Sequence, residues 1–128
     1  MGIKIMVIDD SSIVRGMLKK VIGLSGLDVQ EVIEAADGKQ ALEKLAGGLV
    51  DLAFLDINMP VMNGMEFMEK VRSDESMKTL PVVVVSTEGS QDRINRMKEL
   101  EVRHYLRKPV TPEQISTVVK ELLGASHG

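Results

Sequence analysis

The chain has 128 residues, no cysteine, a formal net charge of −3 at pH 7 and 44% hydrophobic residues. This length and composition indicate one globular domain with a real core rather than a disordered chain. The small net charge gives no electrostatic basis for binding nucleic acid, the lack of cysteine excludes disulfides and thiol catalysis, and no apolar run reaches the roughly 18 residues of a membrane-spanning helix.

The first strand and helix are marked by clear patterns. Residues 3–9 are apolar, largely β-branched, and lead into acids, which is typical of a strand. Ser11 and Ser12 can then cap a helix that closes at Gly26. The apolar side chains of that helix recur at intervals of three and four residues: Val14, Met17, Leu18 and Val21.

The middle of the chain continues the alternation of strands and helices. A second strand is predicted at residues 29–33 and a second helix at residues 38–46. A third strand follows at residues 51–56 and leads into a loop at 58–64, where proline and glycine break regular structure. A third helix is predicted at residues 65–72.

The last third of the chain repeats the pattern twice more. Residues 81–86 form a continuous apolar run, which favours a strand covered on both faces. Residues 90–100 are typical of a polar helix, and residues 102–107 of a fifth strand. Thr111 as N-cap and Pro112 in the first turn begin the last helix.

This alternation predicts an α/β fold, (βα)5, in which helices cover both faces of a parallel five-stranded sheet. Right-handed crossovers leave few topologies, and the doubly wound, flavodoxin-like order 2-1-3-4-5 is the natural one at this length. We expect residues 1–124 to form this domain and residues 125–128 to form a loose tail. In such a sheet the ligand site lies outside the carboxyl ends of the strands, between strands one and three.

Polar residues stand where the predicted strands end: Asp9, Asp10, Asp56, Ser86 and Lys108. Three carboxylates that meet at one edge repel one another, by roughly 4 kcal/mol per pair at 4 Å and an effective dielectric constant of 20. Magnesium suits them, since it is a hard cation that is satisfied by two carboxylates and water. The absence of histidine and cysteine from the cluster argues against zinc or copper.

A carboxylate cluster with a lysine and a hydroxyl suits phosphoryl transfer. Asp56 could attack phosphorus as a nucleophile, while the metal and Lys108 neutralise charge on the transferring oxygens and Ser86 donates a hydrogen bond. Each residue alone has an ordinary structural explanation, since the acids at 9–10 could be helix caps, Ser86 a turn residue and Lys108 a surface charge. Caps alone do not explain why complementary groups follow several strands.

Four motifs resemble those of the receiver domains of two-component response regulators. They are DD at 9–10, DINMPVMNG at 56–64, VVVVST at 82–87 and YLRKP at 105–109, in the family's order and spacing. Each motif alone is weak, but the set is specific, and the resemblance covers essentially the whole chain. With no output domain in these residues, the sequence is most similar to the single-domain, CheY-like chemotaxis regulators.

The resemblance implies a role for each acid of the cluster. Asp56 would accept the phosphoryl group. Asp10 and Asp56 would ligate magnesium directly, together with the backbone carbonyl of Asn58. Asp9 would act on the metal through water.

The resemblance also implies how the phosphoryl group is held and sensed. Ser86 and Lys108 would bind it. Tyr105 would be an aromatic switch that turns inward when Ser86 moves toward the phosphoryl group, so that a new charge biases a bistable element.

Residues beside the site are expected to set the lifetime of the phosphoryl group. Asn58 and Glu88 match the chemotaxis pattern, so we expect rapid hydrolysis, whereas Thr87 is bulkier than the family's usual small residue and could slow small phosphodonors. Away from the site, Glu101 replaces a glycine of the family, so we expect its backbone to avoid positive φ. Val110 stands where the family usually has an aromatic residue.

The stretch at 90–108 carries an excess of positive charge. Its six basic residues minus three acidic residues leave +3, in a chain of net −3: Arg93, Arg96, Lys98, Arg103, Arg107 and Lys108 against Asp92, Glu99 and Glu101. The resemblance implies output through the fourth helix, fifth strand and fifth helix. An acidic partner is therefore one interpretation of this charge, and a solvated surface is the other.

We therefore predict a cytoplasmic, single-domain response regulator that a histidine kinase phosphorylates on Asp56 with magnesium, and that is monomeric before phosphorylation. It would act on itself rather than turn over a substrate, so we do not class it as an enzyme. The output partner would be a flagellar motor component or, second, a histidine phosphotransfer protein of a phosphorelay. We expect neither nucleic acid nor a membrane as a partner.

Three other classes of protein fit this sequence less well. An aspartate-nucleophile phosphohydrolase would need an acid two residues after the nucleophile, where this chain has Asn58, and a substrate-covering cap that no insertion provides. A flavodoxin would need a phosphate loop rich in serine, threonine and glycine after strand one, where residues 9–12 are Asp-Asp-Ser-Ser. A pseudo-receiver with a structural role is disfavoured by the intact acid cluster.

Overall fold

A computed structural model describes residues 2–48, 50–57, 62–86, 91–102 and 104–123 of the protein. Strands and helices alternate along it: β1 (Ile3–Ile8), α1 (Ser12–Gly23), β2 (Val29–Ala35), α2 (Gly38–Ala46), β3 (Leu52–Leu55), α3 (Gly64–Ser73), β4 (Val82–Ser86), α4 (Gln91–Glu99), β5 (His104–Arg107) and α5 (Pro112–Leu123). The predictions for Asn58, Thr87, Glu88, Arg103 and the tail at 125–128 lie outside the described residues. Within the described ranges, no helix combines the length and the apolar character needed to cross a membrane.

The five strands form one parallel sheet in the order β2-β1-β3-β4-β5, which confirms the predicted doubly wound topology. Strand β3 pairs with β1 so that Leu55 lies opposite Ile8. The backbone N–H of Asp56 then donates to the carbonyl of Ile8 at 2.9 Å. Strands β1 and β3 therefore end level, and the residues that follow them, Asp9 and Asp56, are neighbours at one edge of the sheet.

Apolar side chains form a separate core on each face of the sheet. The side chains of β4 divide between the two: Val82 and Val84 pack on the side of α2, α3 and α4, while Val83 and Val85 pack on the side of α1 and α5. All four are at most 3% exposed. A strand covered on both faces has no solvent side for polar residues, which explains the continuous apolar run that predicted it.

Polar caps begin the helices within a few residues of the preceding strands. Ser11, one of the two predicted caps of α1, accepts a hydrogen bond from a backbone N–H of the first turn at 3.2 Å. Thr111 and Gln114 each accept from the other's backbone N–H at the start of α5, which confirms Thr111 as its cap. Asp37 and Asn63 cap α2 and α3, although neither was predicted to do so, and Asn63 forms the same reciprocal pair with Glu66.

The prediction for the backbone of Glu101 was wrong, because its φ is +65°. The carbonyls at the end of α4 require this conformation: the N–H of Glu101 donates to Lys98 at 3.0 Å and that of Val102 donates to Met97 at 2.9 Å. This pair of bonds is a Schellman motif, and the side chains of Met97 and Val102 are buried in the same core. Helix closure and burial outweigh the roughly 1–2 kcal/mol that a non-glycine residue loses in this region.

Helix α1 packs on a narrower stripe than its sequence pattern predicts. Leu18 and Ile22 are buried, whereas Met17 is 56% exposed. Ile13 and Leu24, at the two ends of the helix, are 75% and 65% exposed. An apolar strip of α1 therefore faces solvent.

Candidate functional site

Three acidic side chains meet at the carboxyl edge of the sheet. Asp9 and Asp10 follow β1, Asp56 follows β3, and one carboxylate oxygen from each lies within 4.8 Å of the others. Asp9 and Asp56 are 1% and 7% exposed, whereas Asp10 is open to solvent. The structure thus brings together the three acids that the sequence placed at strand ends, two of them buried and one at the entrance.

The carboxylate of Asp9 is held on both of its oxygens. Oδ1 accepts a hydrogen bond from the backbone N–H of Ser11 at 2.9 Å, and Oδ2 accepts one from Nζ of Lys108 at 2.8 Å. The first of these donors belongs to the N-terminal end of α1, where the helix dipole favours negative charge. The second is a charge-assisted bond, so the buried charge of Asp9 is compensated by a cation.

Lys108 joins the two sides of the site. Its backbone N–H donates to the carbonyl of Ser86, the last residue of β4, at 3.3 Å. Its Nζ lies 4.0 Å from Oδ1 of Asp56 as well as 2.8 Å from Asp9. The Lys108–Pro109 peptide bond, whose isomer the sequence left open, is cis. A single lysine therefore stands within reach of both buried acids.

The donor set of this cluster fits magnesium. Its members offer carboxylate oxygens, which a small hard cation prefers, and the exposed Asp10 leaves the cluster open to the water that magnesium keeps as further ligands. Two like charges 4.8 Å apart repel by about 3.5 kcal/mol at an effective dielectric constant of 20, and a divalent cation between them reverses that sign. Bound there, magnesium would also neutralise charge on a transferring phosphoryl group.

Ser86 and Tyr105 lie on the same face of the sheet. Tyr105 pairs with Val84 on the neighbouring strand, and Ser86 stands two residues further along, so the two side chains point to the α3–α4 side. The hydroxyl of Tyr105 lies 3.1 Å from two acceptors, the carbonyls of Ile94 and Val102. Its partial burial raises the pKa of the phenol, which therefore stays protonated and able to donate.

Gly64 is a residue of the site that the sequence marked only as a breaker. It is the first residue of α3, and its N–H donates to the carbonyl of Ile57 at 2.9 Å. A Cβ at this position would stand 2.8 Å from the backbone oxygen of Asp56. Only glycine lets the helix approach the end of β3 this closely, and a glycine directly after the N-cap Asn63 was the available signal.

The basic stretch at 90–108 is less open than its charge count suggests. Arg96 forms ion pairs with Glu69 of α3 at 3.4 Å and with Glu99 at 2.9 Å, and both partners raise the pKa of its guanidinium. Lys108 belongs to the acid cluster. His104 lies 3.3 Å from Glu121 of α5. Part of the predicted positive face is therefore compensated within the protein.

Known proteins are similar to this chain in both sequence and fold. Residues 5–120 match the response regulator receiver domain. The chain is 36% identical over 124 residues to chemotaxis protein CheY1 of Helicobacter pylori, covering 96% of this chain and 98% of that protein. It is 34% identical over 125 residues to chemotaxis protein CheY of Pseudomonas aeruginosa, covering 98% and 99% of the two chains. The structure of Vibrio cholerae chemotaxis protein CheY4 superposes with a TM-score of 0.84 at 32% identity, over 95% of this chain and 99% of that one.

Proposed function

Since this chain belongs to the family of response regulator receiver domains, we propose that it is a single-domain response regulator that accepts a phosphoryl group on Asp56 from a histidine kinase. The observation that carries the proposal is the cluster of Asp9, Asp10 and Asp56 with Lys108 at the carboxyl edge of the sheet. An oxygen of Asp56 forms a bond to phosphorus while the bond from phosphorus to the imidazole nitrogen of a phosphohistidine breaks. The electron pair of the broken bond returns to the imidazole.

The other residues of the cluster divide between metal and phosphoryl group. Asp10 and Asp56 would ligate magnesium, with the Asn58 carbonyl as a further ligand, and Asp9 would act on the metal through water. Lys108 is only 4.0 Å from Asp56 Oδ1, so a small movement away from Asp9 carries its ammonium to a phosphoryl oxygen. Ser86, at the end of β4, donates a hydrogen bond to the same group. Thr87, Glu88 and Asn58 are the residues that would set the rate of hydrolysis.

The output surface is the α4-β5-α5 face, and Tyr105 is the residue that couples it to Asp56. Its side chain lies on the same face of the sheet as that of Ser86, and its hydroxyl donates a hydrogen bond to the carbonyl of Ile94 in α4. A shift of Ser86 toward a phosphoryl group would change the space that the ring occupies. The relatives named as chemotaxis proteins support a role in chemotaxis or motility, with a partner whose acidic groups meet Lys98 and Arg107.

The phosphodonor domain approaches over α1. An apolar groove of about 320 Å³ runs between this helix and the Lys108–Val110 segment, and Lys108 forms part of both groove and site. Met17 lines this groove and is exposed, as is Ile13 one turn earlier on α1. Ile13→Glu should slow transfer from a phosphorylated kinase domain and leave acetyl phosphate as good a donor as before. Equal slowing with both donors would contradict this placement.

The first test is the intact mass of the protein after incubation with acetyl phosphate, with and without magnesium. We expect the wild-type protein to gain one phosphoryl group only when magnesium is present, and Asp56→Asn to gain none. Asp92→Asn, which removes the same charge from an exposed position on α4, is the matched control and should behave as wild type. If Asp56→Asn were labelled like the wild type, Asp56 would not be the acceptor.

A further inference from the structure

Arg15 reaches from α1 to the backbone of the acid cluster. Its Nη1 donates to the carbonyl oxygen of Asp9 at 2.6 Å, and its Nε donates to Oε1 of Glu34 at 3.0 Å. The side chain is only 15% exposed, although it carries a permanent charge. One guanidinium therefore connects the end of β1, the start of α1 and the second-to-last residue of β2.

Glu34 fixes the direction of this guanidinium. Its Oε1 binds Arg15, and its Oε2 lies 3.2 Å from Nζ of Lys19, one turn further along α1. These hydrogen bonds, first from Arg15 and then from Lys19, hold the pKa of Glu34 below its usual 4.5, so its carboxylate is ionised at neutral pH. The planar fork of arginine can serve two acceptors at fixed angles, which a lysine cannot do.

The carbonyl that Arg15 binds belongs to the peptide bond between Asp9 and Asp10. Strand β1 ends at Ile8, so this peptide lies beyond the paired part of the strand. The N–H of Asp9 is tied to Ala35 of β2 at 3.1 Å. With its N–H bound to Ala35 and its carbonyl bound to Arg15, the backbone of Asp9 is restrained on both sides, and so is the peptide plane that leads to Asp10.

We propose that Arg15, braced by Glu34, is a positioning residue for the magnesium site. It orients the Asp9–Asp10 peptide and thereby the two carboxylates that follow β1. This rests on the proposed function, in which those acids bind magnesium. Replacing a residue that orients metal ligands without touching the metal typically lowers metal affinity by 10- to 100-fold. We therefore expect Arg15→Gln to weaken magnesium binding by about tenfold.

The test is isothermal titration calorimetry of the unphosphorylated protein with magnesium chloride. Arg15→Gln removes the guanidinium, Arg15→Lys keeps the charge without the fork, and Glu34→Gln keeps the shape of the brace without its charge. Lys19→Gln is the matched control, because Lys19 also binds Glu34 from α1 but its ammonium is directed to Glu34 rather than to Asp9. Urea unfolding in EDTA, followed for each variant, separates loss of folding from loss of metal affinity.

We expect Arg15→Gln and Arg15→Lys to bind magnesium about tenfold more weakly, Glu34→Gln to fall between them and the wild type, and Lys19→Gln to stay within twofold of the wild type. If Arg15→Gln does not fold, the magnesium affinities expected above for Arg15→Lys and Glu34→Gln test the inference in its place. Wild-type affinity in Arg15→Lys, or equal losses in the Arg15 and Lys19 variants, would overturn the inference. Absence of magnesium binding by the wild-type protein would instead overturn the proposed function itself.

Discussion

Replacing Asp56 by asparagine should stabilise the metal-free protein. The substitution keeps the shape of the side chain but removes its interaction with the other two acids of the cluster, whose oxygens lie within 4.8 Å. Each of these two repulsions is about 3.5 kcal/mol at an effective dielectric constant of 20, and the attraction to Lys108 at 4.0 Å, which is also lost, is about 4 kcal/mol. The difference raises the free energy of unfolding of the variant by about 3 kcal/mol. Because Asp10 is exposed to water and salt, which screen its charge, we expect a gain of about 1–2 kcal/mol.

Urea unfolding followed by far-UV circular dichroism measures this difference, since the chain has no tryptophan and one tyrosine. In EDTA we expect Asp56→Asn to have the higher free energy of unfolding. Magnesium at a hundred times its dissociation constant should add about 2.7 kcal/mol to the wild type and less to the variant, so the gap should narrow or reverse. Asp92→Asn, in the first turn of α4, should be neutral or slightly destabilising. A variant less stable than the wild type in EDTA would refute the view that these carboxylates repel one another.

Three further substitutions test the local structure. Gly64→Ala should lower the free energy of unfolding by about 1–3 kcal/mol and slow phosphorylation of Asp56. In Gly16→Ala the new methyl group meets nothing within 4 Å, so this variant should raise the free energy of unfolding by about 1 kcal/mol. If urea unfolding gave the two variants the same stability, the close approach of α3 to the end of β3 would be contradicted. Glu101→Gly should raise the free energy of unfolding by about 1 kcal/mol through relief of the positive φ, and Glu101→Ala, with the same loss of charge, should not. Because the pKa of Glu34 is lowered on folding, its ionised form contributes stability above pH 4.5 that is lost as the pH falls through the lowered value. In Glu34→Gln the free energy of unfolding, measured between about pH 3 and 6, should therefore fall less steeply with decreasing pH than in the wild type. An unchanged pH dependence would count against the ion pair.

The strand order and the acid cluster could be predicted because each follows from local sequence patterns together with one topological rule. The strand before Asp9 and the strand before Asp56 are each visible as a short apolar run ending in an acid. The doubly wound order then makes those two strands neighbours. Because Ile8 pairs with Leu55, the acids that follow them lie side by side at one edge of the sheet. No contact between distant side chains had to be known to reach this result.

Features that depend on contacts through space were not predictable in the same way. The positive φ of Glu101 follows from closure of α4 and burial of Val102, and the residue type alone argued against it. The bond from Arg15 to the Asp9 carbonyl joins a helix face to a backbone atom, for which the sequence offers no signal. The ion pair of Arg96 with Glu69, which lies outside the counted stretch, likewise reduces a charge excess that a count along the chain overstates.

The ion pair between Lys108 and Asp9 spans 99 positions of the chain and has a consequence for biosynthesis. Synthesis proceeds from the N-terminus, so the acids emerge from the ribosome before the lysine that compensates Asp9. A nascent or truncated chain that lacks the fifth strand holds the acids without their cation. Only after the fifth strand and the lysine that follows it have been made can this cation reach Asp9.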